Sequence, residues 1–143
     1  MSKVAIVYWS GTGNTEAMAK AIQKGATNGG AEAALFQVGD FGVDSIASYD
    51  GVLFGCPAMG DEVLEESEFE PFFTEAEGKL SGVPVALFGS YGWGGGAWMK
   101  SWEERTQASG AKLFREGLAI ENTPDDAGLA QCESLGEDFA KSL

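Results

Sequence analysis

Val4-Ala5-Ile6-Val7-Tyr8-Trp9, running straight into Ser10-Gly11-Thr12-Gly13-Asn14-Thr15, is the stretch on which the fold turns. The first six residues are an unbroken apolar run, the pattern of a strand buried on both faces. The next six place two glycines among hydroxyl and amide side chains. Residues 14–27 then carry a helical period, with Ala19, Ile22 and Ala26 on one face, Met18 beside them, and Gly29-Gly30 as the stop. A doubly buried strand that passes through a glycine turn into a helix is how a βαβ unit begins.

The rest of the chain repeats that alternation. Residues 35–38, 51–56, 83–88 and 112–120 read as four further strands. Between them, residues 43–48 suggest a short helix, and Phe69, Phe72 and Phe73 fall at helical spacing. Pro71 is tolerated only in a first turn, so that helix starts near residue 70. Residues 95–109 form a helix with Trp98, Trp102 and Arg105 along one side, and residues 126–142 form the last. The expectation is an α/β fold, a doubly wound five-stranded parallel sheet with helices on both faces, occupying residues 1–143 as a single domain. Ligands on such sheets sit at the carboxyl ends of the strands, which directs attention to residues 10–15, 56–66 and 89–95.

Charge narrows the function. Among 143 residues, 22 acids against 9 bases give a net charge of −13, and there is no histidine. A nucleic-acid binder needs Lys/Arg to neutralise phosphates, and no basic stripe exists; an anionic membrane surface is disfavoured for the same reason. The missing histidine removes His triads, His metal sites and His general bases. Such a surface favours basic protein partners. Two cysteines, Cys56 and Cys132, make neither a disulfide framework nor a metal site and suit a reducing cytoplasm. No apolar run approaches the roughly 18–20 residues of a membrane span, and Met1-Ser2-Lys3 leads into a strand without a cleavage site.

Ser10-Gly11-Thr12-Gly13-Asn14-Thr15 combines tight turning, hydroxyls and a helix start, which suits a phosphate. It has no Lys or Arg, no Walker A lysine and no GxGxxG spacing, so it would hold a terminal phosphate without a cation. In Gly89-Ser90-Tyr91-Gly92-Trp93-Gly94-Gly95-Gly96 the glycines give Trp93 no local packing, and a flat ring stacked on it would cover it. In Cys56-Pro57-Ala58-Met59-Gly60-Asp61-Glu62, Met59 is a soft side chain suited to the other face of such a ring, and Glu62 could accept from a ring N–H. Glu62 also opens an acidic run (Glu65, Glu66, Glu68, Glu70, Glu75 and Glu77) that contains no base and reads as mostly solvated. Cys56 reads as a small buried residue.

Together the three loops resemble the flavodoxins, specifically their short-chain type, in register along the whole chain: SGTGNT at 10–15, AMGDE at 58–62 and GSYGWG at 89–94. The resemblance implies strand order 2-1-3-4-5 with FMN bound non-covalently where the order reverses. It implies that Ser10, Gly11, Thr12, Gly13, Asn14 and Thr15 hold the phosphate. Ala58, Met59, Gly60, Asp61 and Glu62 would flank the isoalloxazine, with Glu62 accepting from N3–H. Ser90, Tyr91, Gly92, Trp93 and Gly94 would flank it from the other side, Trp93 by stacking and the backbone of 90–92 at the ring edge. Pro57 and Gly95 stand where relatives often carry a hydroxyl and an acid.

The expected role is a low-potential one-electron carrier, a monomer shuttling between larger redox enzymes through transient contacts with basic partners. A Gly60–Asp61 peptide that turns its carbonyl toward a protonated flavin N5 would tune the first electron. Rival readings are an NAD(P)H–quinone oxidoreductase on the same fold, a receiver domain and a non-redox nucleotide module. A receiver would need an acidic pair after strand one, where Ser10-Gly11 stands.

Overall fold

Strand β1, Lys3–Tyr8, lies between β2, Glu32–Gln37, and β3, Gly51–Gly55, and pairs parallel with both. This is the geometry that a strand apolar on both faces requires: Val4, Ala5, Ile6 and Val7 expose no surface. The computed structural model describes residues 2–11, 13–59, 63–92 and 96–143. Strand β4, Pro84–Tyr91, extends the sheet beyond β3, and the order is β2-β1-β3-β4-β5, with β5 at Lys112–Leu113. The expected doubly wound parallel sheet is present.

Successive residues of β1 face opposite layers. Val4, Ile6 and Tyr8 pack with Met18, Ile22, Leu135 and Phe139, which come from α1 (Asn14–Asn28) and α4 (Asp126–Ser142). Ala5 and Val7 pack with Phe69, Phe73, Trp98 and Trp102, from α2 (Phe69–Glu77) and α3 (Ala97–Ala108). Helix α2 begins just ahead of the expected position, so Pro71 falls in its first turn.

Four elements differ from the sequence expectation. The short helix expected at 43–48 is 3₁₀ over Val43–Ser48, and the second strand runs over Glu32–Gln37, with Val38 passing into a further 3₁₀ turn, Val38–Asp40. Strand β4 runs to Tyr91, three residues into the stretch expected to be loop. The fifth strand is broken in two. Lys112 and Leu113 pair with Pro84 and Val85, while β6, Leu118–Glu121, pairs with Phe88–Tyr91 further along the same edge of β4. In the gap between them the Glu103 carboxylate on α3 accepts the Gly117 amide at 2.7 Å, which gives that amide a partner outside the ladder.

Candidate functional site

Helix α1 starts at a glycine because the chain must turn there. Gly13 has φ +94°, a left-handed conformation costly for residues with a Cβ, and as the N-cap residue it has no side chain of its own to cap the helix. A Cβ added at Gly13 would meet nothing within 4 Å, so the turn faces open space. Ser10 organises the loop: its Oγ accepts from the Gly13 amide at 3.1 Å and the Glu16 amide at 3.2 Å. Buried Thr15 and Ser90 are hydrogen-bonded through their hydroxyls at 3.0 Å, which ties the first loop to the end of β4. Whichever hydroxyl accepts in this pair keeps its own proton to donate elsewhere.

Two clefts flank this turn. The first, about 290 Å³, brings together Gly11 and Asn14 from the first loop, Ala58 and Met59 from the second, and Ser90, Tyr91 and Gly92 from the third. Seven of the sixteen residues expected at the site thus line one cavity at the carboxyl edge of the sheet. Thr12, Gly60, Asp61, Glu62, Trp93 and Gly94 lie outside the described residues, as does Gly95. The second cleft, about 330 Å³, is lined by Ser10 together with Tyr8, Glu16, Asp40 and Glu68. Tyr8 donates to Glu16 at 3.2 Å, and burial followed by the Glu16 charge pushes its phenol above the ordinary range. Neither cleft has a Lys or Arg among its described lining residues.

The second loop is built as a hairpin. Met59 and Val63 exchange both backbone hydrogen bonds, at 2.9 and 3.1 Å, and the Ala58 amide donates to the Ser90 carbonyl at 3.0 Å. Met59 is 37% exposed and Val63 38%, both large apolar side chains open to solvent. Cys56 is fully buried, as expected, and burial pushes its thiol up to about 12.

Sequence reasoning missed three residues here. Trp9 lines both clefts, and its indole lies across Gly11, where an added Cβ would stand 2.9 Å from the ring. Its signal was a large aromatic at the last position before the glycine turn. Asn122 lines the first cleft with φ 59° and donates its amide to the Tyr91 carbonyl at 2.7 Å; asparagine is one of the few residues that accept that conformation. Glu65 was read with the solvated acids but is 6% exposed. Two more of those acids are paired: Glu70 and Glu77 receive the Arg105 guanidinium from α3 at 2.6 and 2.8 Å.

Against known families, the description "Flavodoxin" matches residues 6–136. The chain belongs to the flavodoxin family. It is an FMN-binding electron carrier rather than an enzyme with a substrate of its own, which sets aside the quinone oxidoreductase reading. Flavodoxin from Megasphaera elsdenii is 52% identical over 140 residues, covering 97% of this chain and 99% of its own. Flavodoxin from Clostridium beijerinckii is 50% identical over 135 residues, covering 94% and 97%. The solution structure of two-electron reduced Megasphaera elsdenii flavodoxin superimposes with a TM-score of 0.87, covering 96% of this chain and 98% of that one.

Proposed function

We propose that this flavodoxin is a low-potential, monomeric, cytoplasmic carrier that moves single electrons between larger redox enzymes, meeting basic partners briefly at its acidic surface. FMN is held by Ser10–Thr15 at the phosphate, by Ala58–Glu62 on one flank of the ring and by Ser90–Gly94 on the other. The observation that carries this reading is the α1 N-terminus: it starts at a left-handed Gly13, is open in front of that residue among the described residues, and adjoins a cleft lined from all three loops.

The chain's residues suit that group. The α1 dipole favours a dianionic phosphate without a cation, and the clefts beside the loop supply none. Ser10 Oγ accepts the Gly13 and Glu16 amides and so holds the shape of the turn. The Trp9 indole lies against Gly11 and leaves no room there for a side chain. When bound, FMN supplies the one-electron chemistry; the protein orients it, limits water and sets the surrounding field. Acids on the neighbouring cleft, Glu16, Asp40 and Glu68, oppose added negative charge. One carboxylate about 10 Å away costs on the order of 0.4 kcal/mol in water-like dielectric, roughly 20 mV for one electron. Several together lower the second potential, and salt screens them.

The net charge of −13 supports basic protein partners and disfavours nucleic acid. Among the described residues, no helix is long and apolar enough to cross a membrane. The test is a visible spectrum of the purified protein followed through stepwise reduction at two ionic strengths. The expected result is a yellow protein that takes up electrons in two resolved stages, the second shifting upward with salt. Colourless protein that binds no added FMN overturns the reading, and a salt-independent second stage removes the acidic surface as its tuner.

A further inference from the structure

Glu65 sits where the second loop returns to the fold. Its carboxylate faces the N-terminus of α2, where Oε1 accepts from the Glu68 amide at 2.7 Å and the Phe69 amide at 2.9 Å. Its Oε2 accepts from the Ser67 amide at 2.9 Å and from the Ser67 hydroxyl. Its own amide donates to Cys56 Sγ at 3.3 Å. Cys56 is itself fixed in the sheet, with its amide on the Phe88 carbonyl at 3.1 Å and its carbonyl accepting from Trp98 Nε1 at 3.3 Å.

One residue therefore joins two anchors. On one side is the end of β3, held by β4 and α3; on the other is the start of α2. The Cys56–Glu65 contact closes the loop at its base, and the Met59–Val63 pair closes it again nearer the tip. Burial would push the Glu65 carboxyl up, but the bonds from Ser67 and from the Phe69, Glu68 and Ser67 amides outweigh it and hold the group below the ordinary glutamate range. A buried carboxylate this fully satisfied is expensive to replace. Capping alone would require neither its burial nor its amide bond to Cys56.

We propose that Glu65 is a positioning residue for the flavin: by locking the base of the 56–65 loop to both β3 and α2, it fixes the Met59–Val63 pair and so the place of Met59 beside the ring. The inference rests on the site assignment above. Without the carboxylate, the α2 amides lose their acceptors and the returning arm of the hairpin is free to shift. The flavin then meets a mobile wall, and both its affinity and the cost of its one-electron reduction change.

The test uses FMN-loaded protein with Glu65→Ala, Glu65→Gln and Cys56→Ala. Amide hydrogen exchange, FMN affinity and the first midpoint potential are measured for each. Glu65→Ala is expected to speed exchange at Met59 and Val63 by roughly tenfold or more, as loss of a helix cap would, while the Cys56 amide in the sheet keeps its protection. FMN affinity falls and the first potential moves. Glu65→Gln, which keeps one acceptor oxygen, recovers part of each effect and serves as the folded variant if Glu65→Ala does not fold. Cys56→Ala speeds exchange at Met59 and Val63 but leaves Glu68 and Phe69 protected. If Glu65→Ala and Glu65→Gln disturb only the α2 amides, Glu65 is a helix cap alone and the proposal is overturned. If the hairpin loosens but affinity and potential do not change, the assignment of the hairpin to the flavin fails, and the inference falls with it.

Discussion

The two faces of the sheet are closed by opposite means. On one, α1 and α4 meet backbone to backbone: a Cβ at Gly25 would stand 1.9 Å from the Glu133 carbonyl oxygen, and one at Gly136 would stand 2.1 Å from that of Ile22. On the other, α2 and α3 meet through large rings. Trp102 packs edge-on to Phe69 and Phe73 at 5.5 and 5.7 Å, and Phe54 meets Phe73 at 5.3 Å. Helix α1 carries the turn assigned to the phosphate, whereas α2 and α3 follow the two loops assigned to the ring. The helix that carries the phosphate turn is thus set, in its second half, by direct backbone approach to α4 as well as by side-chain packing. The ring end stands on side chains and hydrogen bonds that can be retuned one at a time.

Gly136→Ala breaks this contrast most severely. In an exposed helix interior, Gly→Ala adds about 0.5–1 kcal/mol of stability. Here the sign inverts, because the new methyl meets the backbone of Ile22 and Ala26, which cannot rotate away. The expected loss is about 3 kcal/mol or more, read as a lower urea midpoint, with FMN affinity falling because α1 must move. A stabilised variant would show that the helices part easily and that the close contact is incidental.

What could be read in advance follows from distance along the chain. The strand–turn–helix at residues 4–27 was legible because its apolar period, its glycines and its hydroxyls are all local. The helix at 126–142 was legible for the same reason, and Asp125 caps it by accepting the Gly128 amide at 2.8 Å. Gly136 left no mark in the sequence, because its meaning lies on another helix. The amide in the gap of the fifth strand is satisfied by Glu103 on a different element, and Glu65 is held by Cys56 and by amides that exist only once α2 has formed. Arg105 gave the acidic run its only described base, from a helix that is remote in sequence. The loops were readable as phosphate-like and ring-like from their composition. How they are latched was not, because the latches are tertiary.

Trp98→Phe sharpens the comparison from the ring side. The Trp98 indole N–H reaches the Cys56 carbonyl at 3.3 Å, and its ring tilts against Tyr91 at 5.5 Å, so one side chain supports both ring-side loops. Phenylalanine keeps most of the packing and removes the donor, leaving a buried carbonyl underserved. A loss of about 1–2 kcal/mol is expected on urea unfolding, with weaker FMN binding on titration. Unchanged binding would mean that the start of the second loop needs no support from α3.

Acid should open the same side first. The Glu70 carboxyl is held below the ordinary range chiefly by hydrogen bonds from Arg105, with burial opposing, and Glu65 is likewise depressed by its hydrogen bonds against burial. Depressed carboxyls contribute stability that is complete above the unfolded glutamate value of about 4.3 and is lost as the pH falls through the folded values below it. Between pH 6 and pH 3, hydrogen exchange is expected to accelerate in α2 before α1 and α4, after correction for the intrinsic pH dependence. Glu65→Gln should reduce the acid-sensitive part of the stability by about 1 kcal/mol, the size of one helix cap. Simultaneous loss in all four helices would mean that the two faces melt as one unit.

The smallest effect is expected where the ring side looks most committed. Trp102 is among the largest fully buried side chains, yet its Nε1 is buried without a hydrogen-bond partner among the described residues. Its contribution is therefore the ring, edge-on to Phe69 and Phe73, and the N–H opposes burial. Trp102→Phe gives up volume and the second ring but also removes an unsatisfied donor, and the two changes offset each other. The net change in urea unfolding should stay within about 1 kcal/mol, below that of Trp98→Phe, although both remove an indole from the same helix. A larger loss at Trp102 than at Trp98 would show that volume, not hydrogen bonding, dominates this face. It would then be as intolerant of substitution as the glycine contact across the sheet.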